Sequence, residues 1–150
     1  MLMHFWSYLT VALAAAFAAR PGTAPRSAVI VHSGSTNTPG FKIVVERSGT
    51  ATYTQSRRAN GPDSGTEFSS RVRELPNTLV RRFYTDLEAA KPLSTLPRHP
   101  CMKSASFGTT LSIEFSGQTS PDLSCGDQED PKLRALIQDS NEIVKFFNAR

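Results

Sequence analysis

The chain reads as an α+β domain, an antiparallel sheet of four to five strands with two helices packed on one face, in the order hairpin, helix, hairpin, helix. Three observations predict this. Two β-rich runs flank Ser48-Gly49, apolar residues recur at helical spacing after Pro76 and again after Pro131, and Phe107, Thr109, Leu111, Ile113 and Phe115 alternate with small or polar residues. Antiparallel strands with helices collected on one side bury both apolar faces in one two-layer core.

The N-terminus comes first. Phe5 to Ala19 is an apolar stretch ending in the small-x-small pattern Ala16-Phe17-Ala18, and Arg20-Pro21-Gly22 breaks it. It is shorter than the ~20 residues that span a bilayer. Residues 1–19 are therefore expected to be a signal peptide, cut after Ala18, Ala19 or Ala24. Residues 20–40, rich in Pro, Gly, Ser and Thr, are expected to be a flexible leader holding at most a short strand at Val29-Ile30-Val31. This leaves 41–150 as a single α+β domain, periplasmic or secreted, with no stable membrane span after signal cleavage.

Within the domain, a two-residue Ser48-Gly49 turn joins Phe41–Arg47 to Thr50–Gln55. That register sets Val44 opposite Tyr53 and Val45 opposite Thr52. Residues 56–65 read as a loop, and 66–72 as a third strand with Phe68 and Val72 on its inner face. From Pro76, the residues Leu79, Val80, Phe83, Leu87 and Ala90 form one helical stripe, which Pro92 ends. A Pro-rich connector leads to the strand 107–115. A turn at Ser116-Gly117-Gln118 then gives a short return strand through Leu123 to Cys125. Asp130 is a natural N-cap and Pro131 a natural first residue for the last helix. Its stripe is Leu133, Leu136, Ile137, Ser140, Val144 and Phe147.

Charge and chemistry narrow the function. The chain carries seventeen Lys and Arg against thirteen Asp and Glu, a net +4 at pH 7. Residues 20–103 hold thirteen basic and six acidic side chains, a local +7, whereas 104–150 hold four and seven, a local −3. The arginines fall in pairs, Arg57-Arg58, Arg71 with Arg73, and Arg81-Arg82, with no aromatic ladder between them. Nucleic-acid binding is accordingly set aside. An even pair of cysteines in an exported chain, Cys101 and Cys125, is expected to form one disulfide, closing a loop of about 25 residues and contributing roughly 3 kcal/mol. His99 stands near Cys101, but no second His or Cys stands near Cys125, so neither a metal nor a cofactor is expected. The acidic run from Asp122 to Asp130 lacks calcium-loop spacing.

The histidines are His4, His32 and His99, and no G-x-S-x-G is present. The reading is thus a non-enzymatic exported domain that binds a protein or a small anionic ligand. The residues expected to meet an anion are Arg57, Arg58 and Arg73. The alternative is a protease inhibitor, because Lys103-Ser104 lies two residues from a covalently anchored Cys101 and an exposed residue held this way is already ordered before binding.

From Asp86-Leu87 through Cys101, Lys103-Ser104 and Cys125, about 40 residues resemble the subtilisin-inhibitor-type secreted proteins, where helix, loop and cysteine precede a scissile residue. The resemblance implies Lys103-Ser104 as the scissile pair. That family carries a second disulfide without counterpart here and lacks an equivalent of helix 131–148. Taken whole, the chain resembles uncharacterised small exported bacterial proteins of hairpin–helix layout. Leu75-Pro76, the run from Cys101 to Thr109 and the run from Thr119 to Cys125 carry that likeness, and no activity comes with it.

Overall fold

A computed structural model describes residues 26–56, 69–104, 106, 108–126 and 129–148. The strands are β1 (Ser27–His32), β2 (Phe41–Glu46), β3 (Thr50–Gln55), β4 (Ser70–Glu74), β5 (Leu111–Phe115) and β6 (Gln118–Thr119). The helices are α1 (Asn77–Ala90) and α2 (Pro131–Asn148), with short 3-10 turns at Leu93–Thr95 and Leu123–Cys125. All six strands join one antiparallel sheet in the order β4-β3-β2-β1-β5-β6. The class is α+β as expected, with six strands rather than four to five. The expected signal peptide, together with Arg57, Arg58, Phe68 and Phe107, lies outside the described residues.

The main correction concerns the expected leader. Residues 27–32 form β1, which sits between β2 and β5, and its Ala28 and Ile30 are fully buried. A three-residue apolar core flanked by Gly, Pro and Ser is a weak strand signal by itself. Pairing on both edges with distant segments makes it a central strand.

The first hairpin is also shifted by one residue on one strand. Gly49, at φ 108°, closes a three-residue Arg47-Ser48-Gly49 loop, and its N–H donates to Glu46 O at 3.0 Å. Glycine adopts this left-handed backbone without steric cost. Ile43 therefore faces Tyr53, and Val45 faces Ala51. All four are buried on one face, which is what fixes the register, since a one-residue slip would turn one strand's set outward.

That face carries Ala28, Ile30, Ile43, Val45, Ala51, Tyr53, Leu111, Ile113 and Phe115 into one cluster with the helices. The α1 stripe is buried as expected, with Tyr84 added. Tyr84 donates its hydroxyl proton to Val45 O at 2.6 Å, tying α1 to β2. Burial pushes its phenol up to about 12, against the opposing pull of Arg47, so the hydroxyl remains a donor. In α2, Asp130 Oδ1 caps Leu133 N at 2.8 Å, and Ile143 joins the core while Ile137 and Val144 are only half-buried. Two further expectations fail. Val72 is 63% exposed because, opposite Thr52, it stands on the sheet face away from the helices and on the edge strand, and the Leu123–Cys125 segment is a 3-10 turn.

Between the helices, Arg82 Nε donates to Asp139 Oδ1 at 2.6 Å, and its other end pairs with Glu142. Asp139 is 1% exposed, and its Oδ2 has no donor unless a proton is shared with the neighbouring Asp86 carboxyl. Burial, with Asp86 adding to it and Arg82 opposing, raises the Asp139 carboxyl to about 6. A folded-state value above the unfolded one means the native state takes up the proton first, so stability falls as pH rises through about 6. Asp139→Asn is expected to flatten this dependence in urea unfolding between pH 5 and 7; an unchanged slope would assign the dependence elsewhere.

Candidate ligand-binding site

Cys101 and Cys125 are bonded, with Cα atoms 5.5 Å apart. The bridge fastens the loop before β5 to the 3-10 turn after β6, and Asp122 organises the space between. Its Oδ1 accepts from Leu111 N and Ser124 N, both at 3.0 Å, and from Ser124 Oγ at 2.7 Å. Its Oδ2 pairs with Lys103 Nζ, which also donates to Thr109 O and to Ser124 Oγ. Burial alone would raise the Asp122 carboxyl, but the hydrogen bonds from Lys103, Ser124 and Leu111 outweigh it and hold it below the usual carboxylate range. The loop folds back on itself as Gly108 N meets Ser104 O at 2.6 Å. A Cβ at Gly108 would lie 2.4 Å from that oxygen, so glycine is required there.

This network forms one side of a cavity of about 480 Å³ at the His32 end of the sheet. Its wall is a ladder of rings on β1, β2 and β3. His32 and Phe41 stack at 4.7 Å and 2°, and Phe41 and Tyr53 at 5.2 Å and 27°. Thr109 and Ser124 line the side nearest Lys103, while Asn141, Val144 and Asn148 of α2 close the other. His32 Nδ1 accepts from Gly34 N at 3.3 Å, so the neutral ring carries its proton on Nε2. Burial lowers the His32 pKa, against the pull of Asp122, and the ring is neutral at pH 7.

The predicted site residues are not gathered here. Arg73 stands on the exposed edge strand β4, away from this lining. Lys103 is not a free loop tip, since its ammonium is engaged by Asp122, Thr109 and Ser124 and the fully exposed side chain of this loop is Met102. Ser104 is exposed, but its Oγ accepts from Ser106 N and its carbonyl from Gly108 N. Sequence reasoning missed His32, Asp122, Ser124 and Asn141. A signal existed for one pair: Pro121-Asp122-Leu123-Ser124 has the form of an Asx turn, with the Asp side chain accepting from the N–H two residues on.

Ser124 Oγ lies 2.7 Å from Lys103 Nζ, the spacing of a Ser-Lys nucleophile pair. The same Nζ is also committed to Asp122 Oδ2 and to Thr109 O, so the arrangement braces the loop against the 3-10 turn. Among the described residues, no group of three or more His, Cys, Asp or Glu is placed to hold a metal ion, and no helix is long and apolar enough to cross a membrane. Fold and site together define a disulfide-braced, two-layer α+β domain with a preformed cavity at one end of its sheet. No protein-family model matches the chain, and no curated protein matches it.

Proposed function

We propose that this is a non-enzymatic, extracytoplasmic binding domain whose cavity beside His32 takes a small, uncharged, oxygen-rich ligand such as a sugar or polyol. The carrying observation is the lining: aromatic rings, amides and hydroxyls, with no Lys, Arg, Asp or Glu among the described residues that form it. Amide donors suit hydroxyl oxygens, and amide carbonyls accept their protons. The disulfide is compatible with an extracytoplasmic setting. An anionic ligand would need a free cation, and the described residues of this lining offer none. The protease-inhibitor reading is weaker, because the Lys103 ammonium is engaged within its own domain.

Saturation-transfer NMR with glucose, N-acetylglucosamine and trehalose, alongside glucose 6-phosphate and glucuronate, tests the proposal. The expected result is transfer to an uncharged member, lost in Asn141→Ala and weakened in Phe41→Leu. Binding confined to the charged compounds would restore the anion reading, and binding by none would remove the cavity as a sugar site.

A further inference from the structure

The outer edge of β4 is a second surface, none of whose residues line the cavity. We infer that it binds an extended acidic segment of another protein by strand addition. All five residues of β4 are exposed, and among the described residues no strand pairs with its outer side. The ladder defines which backbone groups are free. Gln55 N donates to Ser69 O at 3.2 Å and Leu75 N to Gly49 O at 3.0 Å, and the same alternation turns the backbone of Arg71 and Arg73 toward β3. The N–H and C=O groups of Ser70, Val72 and Glu74 therefore point outward, a template for one more strand.

The side chains select the occupant. Arg71 and Arg73 share the helix-side face, opposite Tyr53 and Ala51, while Val72 stands on the other face, 63% exposed. Arg71 donates to Phe147 O at 3.0 Å and lies over the Tyr53 ring, which holds it in place with further N–H groups unused. Arg73 has no partner among the described residues. A second copy is a poor fit, since antiparallel self-pairing centred on Val72 would set Arg71 of one copy against Arg73 of the other, twice. A strand with acidic residues at alternate positions and an apolar residue between them meets both arginines and Val72 at once.

The probe is a fluorescein-labelled, end-blocked peptide Thr-Thr-Glu-Val-Glu-Thr-Thr, followed by anisotropy at low ionic strength. Saturable binding is expected, weakened about tenfold by Arg73→Glu and abolished by Val72→Pro. Proline at that position removes an outward N–H without breaking the β3 ladder, and Arg73→Glu changes an exposed side chain only, so thermal melts should show both variants folded. Three results would each overturn the inference. The peptide could bind wild type no better than Val72→Pro, a control with both Glu replaced by Gln could bind equally, or sedimentation could show a dimer that Val72→Pro dissolves, which would assign the edge to a second copy.

Discussion

Phe83→Ala is expected to lower the unfolding free energy by about 3–5 kcal/mol, the range for truncating a fully buried aromatic. Phe83 is 0% exposed and meets the Tyr84 ring edge-on at 5.6 Å, and Tyr84 in turn meets Phe115 of β5 at 5.8 Å. The side chain therefore lies where α1 and the sheet share one core, and its loss leaves a cavity that the rigid sheet cannot close. Chemical denaturation gives the value, with a preserved slope against denaturant showing that the same surface is still exposed on unfolding. A loss below about 1 kcal/mol would mean the site relaxes and that α1 packs less tightly than its burial indicates.

Asp122→Ala is expected to cost about 3 kcal/mol, because it strands a half-buried ammonium and the Leu111 and Ser124 N–H groups together. Asp122→Asn keeps an acceptor for both N–H groups and should recover roughly half of that loss. The pH dependence separates charge from shape. The folded-state pKa is lowered, so the stability from the pair is present above the unfolded carboxylate value and disappears as pH falls through the folded one. Wild type should thus lose stability below about pH 4 more steeply than Asp122→Ala. Equal acid sensitivity of the two proteins would show that the Lys103–Asp122 pair contributes nothing. Since Asp122 also positions Ser124 at the cavity, both variants should weaken sugar transfer in the NMR experiment.

The elements whose signals are local were legible in the chain. The α1 stripe, the Asp130-Pro131 start of α2 and the alternation of Leu111, Ile113 and Phe115 depend on side chains within a few residues of one another, and all three hold. The site was less legible. His32 sits at the end of a strand that becomes a strand only by pairing with Phe41–Glu46 and with Leu111–Glu114. Lys103, Asp122 and Ser124 read separately as a loop cation, an acid and a hydroxyl. They form one brace only where the disulfide and the β5–β6 turn bring residues 103 and 122 together.

By itself, the amino-acid sequence determined the α+β class, the two helices with the Asp130 cap of α2 and the buried stripe of α1, and the single cysteine pairing. Period, capping chemistry and a count of two cysteines leave little choice in those. Only the tertiary structure decided that Ser27–His32 is a central strand, that β4 is an edge strand among the described residues, and that Lys103 faces inward. Each of these depends on which distant backbone or charge lies alongside, a free-energy contribution that arises only once the chain has closed on itself.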